Sequence, residues 1–115
     1  MRDTNERLRN IQEAISNITK YTHQGRERFD QDELVRGWVI LQLGIIGEAA
    51  RAIPLDFKDQ HPEILWTQID RVRDTLVYIY FDIDIDIVWS VVEADLPILK
   101  ASVEAILNEK ESHDQ

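Results

Sequence analysis

Apolar residues recur along this chain at alternating steps of three and four, the spacing that places them on one face of an α-helix. In the first such segment they are Leu8, Ile11, Ile15 and Ile18. Asp3 followed by Glu6 fits a helix start, and Gly25 fits a helix end. We predict a first helix whose apolar stripe faces a core.

A second stripe has the same spacing and consists of Leu34, Trp38, Leu41, Ile45 and Ala49. Asp30 followed by Glu33 predicts the start of this helix, and Pro54 lies at or just beyond its end. Gly37 and Gly44 fall seven residues apart on one face, where another helix could approach closely. Alternatively, the helix simply tolerates these glycines at a cost of about 1 kcal/mol each relative to alanine.

A third helix is predicted to begin at Pro62, and its stripe is Leu65, Ile69, Val72, Leu76 and Tyr80. Residues 77–87 are rich in β-branched and aromatic side chains, which taken alone indicates a strand. We reject that interpretation because the helical stripe continues to Tyr80. A lone strand would also lack a partner elsewhere in the chain.

A fourth stripe begins after Asp84 or Asp86 and consists of Val88, Val92, Leu96, Leu99, Val103 and Ile106. Pro97 lies inside it and is expected to kink or divide the helix. Residues 108–115 are polar and are predicted to fray. The pattern therefore predicts one all-α domain over residues 1–115. Its architecture is an antiparallel four-helix bundle, or five helices if Pro97 divides the last one.

Composition narrows the possible functions. A chain of 115 residues suits one domain, and its small core favours packing against a second copy. The net charge of −9 opposes nonspecific binding to nucleic acid or anionic membrane, so any RNA contact needs a local arginine cluster. There is no cysteine for disulfides or thiolate metal sites. With no signal-peptide pattern and no apolar run of about 20 residues, we predict a soluble cytoplasmic protein.

The candidate chemistry lies in the third helix, in the run from Arg73 to Tyr80. Residues seven apart on a helix differ by only about 20° in azimuth, so Arg73 and Tyr80 share one face. Tyr78 is five residues from Arg73 and differs from it by about 140°, so it points elsewhere on a regular helix. A phosphate near Tyr80 would therefore lie close to the guanidinium of Arg73.

Several blocks in this order resemble the HepT-like toxins of the HEPN superfamily, a group once classed as a domain of unknown function. The resemblance covers nearly the whole chain. The blocks are Leu8-Arg9-Asn10-Ile11 with Glu13-Ala14-Ile15, residues 45–50, Pro62-Glu63-Ile64 with Trp66 and Ile69, Arg73 with Tyr80 and Phe81, Ile87-Val88-Trp89, and Leu96-Pro97.

The resemblance implies a metal-independent endoribonuclease that acts as a homodimer, without a cofactor. The family motif is an arginine, four residues, a histidine, one residue and a tyrosine, and it matches Arg73, Tyr78 and Tyr80. The arginine would hold the scissile phosphate, and the histidine would act as general acid or base during attack by the neighbouring 2′-hydroxyl. The partner of the family is a minimal nucleotidyltransferase (MNT) antitoxin, which attaches AMP to the motif tyrosine, here Tyr80.

Tyr78 is where this chain departs from the family motif. A phenol titrates near pH 10, so it is a poor proton shuttle at neutral pH, although it can donate a hydrogen bond or stack on a base. Three interpretations stay open: an active RNA-cleaving toxin, a weakened or non-catalytic dimer that still binds a nucleotidyltransferase, and an acquired or engineered detoxifying substitution.

Two further residues are candidates for the RNA site. Asp74 follows the motif arginine and either orients Arg73 or a substrate hydroxyl, or lies on a solvated face. Arg51 either contacts RNA phosphate or pairs with Glu48 at the surface, where such pairs contribute little. For Arg71 we favour surface pairing.

The remaining polar and aromatic candidates are given structural interpretations. We expect His23, His61 and His113 to be ordinary surface residues, and their spacing predicts no metal site. One of Asp82, Asp84 and Asp86 is expected to cap a helix rather than bind a cation, since the glycine and distal glutamate of a calcium loop are missing. Core or dimer packing is expected for the three tryptophans, Trp38, Trp66 and Trp89.

Overall fold

The computed structural model describes residues 2–64, 66–67, 69 and 85–113, and every regular element in these residues is helical. Four helices lie before the motif: α1 (Arg2–Thr22), α2 (Arg26–Gln31), α3 (Glu33–Ala52) and α4 (Leu55–Gln60). After it come α5 (Ile85–Ser90), a π-helical turn (Val91–Asp95) and α6 (Leu96–His113). The predicted all-α class is confirmed.

Helix α1 is the centre of the core. All four residues of its predicted stripe, Leu8, Ile11, Ile15 and Ile18, are buried, and each is at most 1% exposed. The helix packs along α3 and also against α6. It ends at Thr22, and Gly25 then adopts a positive φ of 102° that side chains rarely tolerate. Gly25 therefore follows the end of the first helix, as the sequence predicts, and it also separates α1 from α2.

Side-chain contacts show that α1 and α3 run antiparallel. Tyr21 packs edge-on against Trp38, with ring centroids 6.2 Å apart. One turn earlier on α1, the Asn17 Nδ2 donates to Gln42 Oε1 at 3.3 Å, one turn later on α3. Trp38 Nε1 donates to the Asn17 carbonyl at 2.9 Å. The packing of Trp38 thus belongs to the α1–α3 contact.

The start of α3 differs from the prediction. Asp30 lies inside the short helix α2, which the sequence pattern did not predict, and so it cannot start α3. The cap is Asp32, whose carboxylate accepts from the backbone N–H groups of Leu34 at 2.9 Å and Val35 at 3.3 Å. Such a cap satisfies amide donors that have no partner within the helix. Arg36 also donates to the carbonyl of Asp30, which holds the α2–α3 corner.

The predicted core stripe of α3 is wrong at three of its five positions. Leu34, Leu41 and Ile45 are exposed, whereas Ala49 is buried and Trp38 is half-buried. The helix is apolar on two sides. The side that packs against α1 is not the one that carries Leu34, Leu41 and Ile45. The buried residues of α3 are Val35, Val39, Gln42, Leu43, Ile46, Gly47, Ala49 and Ala50.

The helix that contains Pro97 has a π-helical turn just before the proline, where the sequence predicts a kink or a break. The backbone N–H of Leu96 donates to the carbonyl of Val91, five residues earlier, which is a π-helical bond. A π turn widens the helix by one residue, so the missing donor of Pro97 is absorbed without ending the helix. Helix α6 then continues to His113, through most of the polar end where fraying is expected.

Candidate functional site

The motif residues Arg73, Asp74, Tyr78 and Tyr80 lie outside the described residues, as does Arg71. The structure describes what lies on either side of them. We call residues 57–66 the upstream flank and residues 85–99 the downstream flank. Arg51 is the one predicted site residue whose surroundings are described.

Arg51 lies in the last turn of α3 and is exposed. A cation at this end of a helix is favoured by the partial negative charge of the last carbonyl groups. Its expected pairing with Glu48 is not observed, and no other described carboxylate forms an ion pair with it. The guanidinium therefore faces solvent at the end of α3 that leads into the upstream flank.

The upstream flank is organised around His61. Its imidazole stacks on Phe57, with ring centroids 4.5 Å apart, and its Nδ1 lies 3.1 Å from Glu63 Oε2. Its carbonyl accepts from Trp66 Nε1 at 3.0 Å. Lys58 Nζ lies 5.7 Å from the centroid of the Trp66 ring, at cation–π distance. Backbone, ring and flanking side chains thus form one packed cluster.

His61 is more enclosed than the predicted surface histidine, with a side chain only 20% exposed. The backbone N–H of Glu63, followed by the hydrogen bond from His61, lowers the pKa of the Glu63 carboxyl. A His-x-Glu spacing, twelve residues before Arg73, is the sequence signal for this pair.

Of the other two histidines, only His23 can be compared with the predicted surface position, and it agrees with it. His23 is exposed at the end of α1, and its Nδ1 lies 3.0 Å from the carbonyl of Thr19. His113 ends α6. Among the described residues, no group of three or more His, Cys, Asp or Glu side chains could hold a metal ion.

The downstream flank is held to the α2 corner. Arg26 pairs with Asp86 and also with Asp30, at 3.3 Å. These carboxylates raise the pKa of Arg26, with the Asp86 hydrogen bond as the largest cause. Asp86 thus forms an ion pair in the first turn of α5. Asp82 and Asp84, the other candidate caps, lie outside the described residues.

Tryptophans anchor both flanks in the core. Trp89 packs on the buried Phe29, with centroids 5.3 Å apart, and its Nε1 donates to Glu93 Oε2 at 2.8 Å. Trp66 is buried and bonded to His61 as described above. Core packing is therefore confirmed for these two tryptophans, and each ring N–H has an acceptor, as buried indoles require.

An apolar cavity of about 30 Å³ lies where the two flanks meet α3. Its apolar walls include Leu43, Ile46, Ile64, Ile69, Leu96 and Leu99. Two acids, Glu63 and Asp95, also line it, and burial raises the pKa of the Asp95 carboxyl. Sequence reasoning did not single out Asp95, since an acid two residues before a proline in a helical segment looks like an ordinary solvated residue.

Comparison with known proteins identifies the family. The family described as ribonuclease HepT-like matches residues 11–106, most of the chain. The chain belongs to the HepT-like ribonuclease family. Among relatives of this family, "Probable ribonuclease HepT" of Thermococcus cleftensis is 42% identical over 100 residues, covering 86% of this chain and 91% of that protein.

Two relatives from Methanocaldococcus jannaschii show the HepT-like domain alone and within a longer protein. "Putative RNase MJ1380" is 33% identical over 91% of this chain and 97% of that protein. "Gamma-glutamylcyclotransferase and putative RNase MJ0434" is 34% identical over 89% of this chain but only 46% of that protein. No solved structure matches the chain. In the part of the chain that the structure describes, none of the helices is both long and apolar enough to cross a membrane.

Proposed function

We propose that this HepT-like chain is an endoribonuclease toxin whose activity is limited by the tyrosine at position 78. The observation that carries the proposal is the family match over residues 11–106 together with Arg73, Tyr78 and Tyr80 at the spacing of the family motif. The relatives named as ribonucleases support the reaction class.

The proposed reaction needs no metal. The 2′-oxygen of a ribose attacks the adjacent phosphorus, the bond from phosphorus to the 5′-oxygen breaks, and a cyclic phosphate forms. The 2′-hydroxyl loses its proton to a base, and the leaving 5′-oxygen gains one. Arg73 holds the phosphate and stabilises its growing charge, and Asp74 orients Arg73 or the attacking hydroxyl.

Tyr78 replaces the histidine that would move these protons. A phenol with a pKa near 10 stays protonated at pH 7, so it can donate a hydrogen bond but accepts a proton poorly. We therefore expect slow cleavage. Since the His61 ring is held by Phe57 and Glu63 and its carbonyl by Trp66, we assign the His61–Glu63 pair a role in packing the upstream flank rather than in proton transfer.

Arg51 fits a second phosphate contact. It is exposed, unpaired with any described carboxylate, and lies at the end of α3 next to the upstream flank. On a chain of net charge −9, such a cation would offset part of the unfavourable field that an RNA strand meets. Charge neutralisation at one phosphate is a sequence-independent contribution to affinity.

Regulation is proposed to act on Tyr80. An MNT-type nucleotidyltransferase would transfer AMP to its hydroxyl, placing a phosphate on the face that the sequence spacing predicts Tyr80 to share with Arg73. The added phosphate would then occupy the guanidinium that otherwise binds RNA. The proposed unit is a cytoplasmic homodimer that binds this antitoxin.

The tyrosine at position 78 also supports a second function. A chain that keeps the HepT-like fold but lacks a group titrating near neutral pH suits a non-catalytic dimer that binds a nucleotidyltransferase. The two functions differ in one measurable property, which is RNA cleavage.

The deciding experiment compares RNA cleavage by the natural chain, Tyr78→His and Arg73→Ala, in the presence of a metal chelator. We expect slow cleavage by the natural chain, at least tenfold faster cleavage by Tyr78→His, and none by Arg73→Ala. Cleavage by the histidine variant alone would identify the natural chain as the non-catalytic form. If neither cuts RNA and neither binds it, the ribonuclease proposal is wrong.

A separate experiment tests regulation. The purified chain is mixed with the candidate nucleotidyltransferase and ATP, and the modified residues are located by mass spectrometry. We expect AMP on Tyr80 and no modification of the Tyr80→Phe variant. AMP found only on other residues would remove Tyr80 from the regulatory proposal.

A further inference from the structure

The outward side of α3 is apolar and uncovered. Leu34, Leu41 and Ile45 are 84%, 56% and 39% exposed, although each is a large aliphatic side chain. A methyl group added at Gly37 or Gly44 would meet no atom of the described residues within 4 Å. Scattered surface leucines are ordinary, but a continuous apolar strip along one helix indicates a contact surface.

The strip has the spacing of a helix that pairs with another helix. Alternating steps of three and four define what we call the outer face of α3: Leu34, Gly37, Leu41, Gly44, Glu48 and Arg51. This is the seven-residue repeat of paired helices, with leucine at the first and glycine at the second contact position in two successive repeats. Large and small residues therefore alternate along the face.

The alternation distinguishes between two ways of pairing this face with itself. In a parallel pair each residue meets its own copy, so glycine faces glycine, which leaves voids, and Arg51 faces Arg51 of the other chain. In an antiparallel pair with its two-fold axis between positions 41 and 44, Leu41 faces a glycine, which gives close packing without a gap. The antiparallel arrangement is complementary in shape.

Charges at the two ends of α3 favour the same arrangement. Glu33 is exposed in the first turn, and Arg51 is exposed in the last. The antiparallel register brings Leu34 of one chain opposite Arg51 of the other, so the neighbouring Glu33 comes within reach of that guanidinium. Opposite charges across a helix pair set orientation more than affinity.

We propose that the outer face of α3 binds the same face of a second copy, antiparallel, with Leu41 against Gly44 and Arg51 beside Glu33 of the other chain. The inference deepens the proposed homodimer and rests on it for its biological role. In this dimer Arg51 pairs with Glu33 at the edge of the interface, in place of the RNA phosphate contact proposed for it above. It places the end of α3 that leads to each upstream flank beside the α2–α3 corner of the other copy.

Cysteine crosslinking tests the register without background, because the chain has no cysteine. With the axis between positions 41 and 44, a cysteine in place of Leu41 lies only about 4.5 Å along the axis from its copy, and one in place of Leu34 about 25 Å. We expect Leu41→Cys to form a disulfide-linked dimer on mild oxidation and Leu34→Cys to form none. A mixture of Leu34→Cys and Arg51→Cys should crosslink.

The results separate the arrangements. Crosslinking of Leu34→Cys to itself would indicate a parallel pair and overturn the proposal. A dimer of the right mass in which Leu41→Cys does not crosslink would place the interface elsewhere and also overturn it. Ser16→Cys, exposed on α1, is the control for random collision and should stay monomeric under the same oxidation.

Charge reversal tests the ends of the pair. Arg51→Glu is expected to weaken dimerisation by about tenfold, since the two-fold axis doubles the loss of a modest surface pair. Glu33→Arg should have a similar effect, and the double variant should recover most of the affinity. Lys100→Glu, exposed on α6, is the matched control and should leave the dissociation constant unchanged.

Mass measurement in solution and RNA cleavage are independent readouts. Dimerisation and crosslinking as expected, with no RNA cleavage by the natural chain or by Tyr78→His, would support the α3 interface while the ribonuclease proposal fails. A chain that cleaves RNA but stays monomeric at all concentrations would overturn the interface and the proposed homodimer, and would leave the ribonuclease proposal in place. Recovery of no affinity in the double charge variant would remove the Glu33–Arg51 contact from the proposal.

Discussion

Helices α1 and α3 pack against each other, yet their apolar stripes have different fates. Every residue of the predicted stripe of α1 is buried, whereas three of the five in α3 face outward. On α1 the opposite side is polar, with residues such as Arg9, Glu13 and Ser16. On α3 it is apolar too. Periodicity shows that a stripe exists, but it selects the buried side only when the other side is polar.

The largest expected difference comes from making the same substitution in both helices, Leu8→Ala in α1 and Leu34→Ala in α3. Leu8 is fully buried, so its truncation should lower the free energy of unfolding by about 2–5 kcal/mol. Leu34 is 84% exposed, so the same change should cost less than about 0.5 kcal/mol. Urea denaturation at dilutions where stability no longer depends on protein concentration measures both. Similar losses for the two variants would contradict the assignment of the outer face.

A smaller loss of stability is expected from substitutions that test which residue caps the start of α3. Asp32→Ala removes the cap that two backbone N–H groups use, and should cost about 1 kcal/mol of stability. Asp30→Ala removes only an exposed ion pair with Arg26 and should cost clearly less. The melting temperatures of the two variants show which aspartate contributes more to stability. A larger loss for Asp30→Ala would mean that α3 starts as the sequence pattern predicts.

Gly44→Ala is expected to raise monomer stability, by up to about 1 kcal/mol, because alanine is the better helix former and its methyl group meets no described residue within 4 Å. The same methyl group should weaken dimerisation if Leu41 of a second copy packs there. Urea denaturation measures the change in monomer stability, and sedimentation measures the change in dimer affinity. Lower monomer stability would show that the outer face of α3 is not open.

The smallest effect probes the inner side of α3, where Asp95 lines the cavity with Leu43 and Ile46. Burial raises the pKa of Asp95 above its value in the unfolded chain, so its ionised form opposes folding. The penalty is therefore present above the raised pKa and disappears as the pH falls to the ordinary aspartate range near 3.8.

Asp95→Asn should accordingly be slightly more stable than the natural chain at pH 7, with an advantage that shrinks as the pH falls. The melting temperatures of both, followed from pH 7 to pH 4, test this. Asp56→Asn, on the exposed surface of α4, is the control and should show no such trend. An Asp95→Asn variant that is less stable at pH 7 would mean that the contacts of the carboxylate outweigh its burial.

Much of the architecture was predictable because local rules agreed with tertiary packing. The α1 stripe and the Gly25 boundary both follow from short-range backbone chemistry, whereas the π-helical turn before Pro97 was not predicted. The missed elements depended on competition between neighbours. Asp30 and Asp32 both resemble caps, and only the intervening helix α2 decides that Asp32 acts as one. The His61–Glu63 pair has a short sequence spacing, but its enclosure by Phe57 and Trp66 comes from the folded chain.

The sequence by itself determined the helical class, the HepT-like resemblance and the motif residues Arg73, Tyr78 and Tyr80, because periodicity and spacing are written in the chain. Tertiary structure alone decided which side of α3 is buried. Both sides are apolar, so the choice rests on which one complements α1 and the last helix. The side left over, with its alternating leucines and glycines, is the surface where a second copy is proposed to bind.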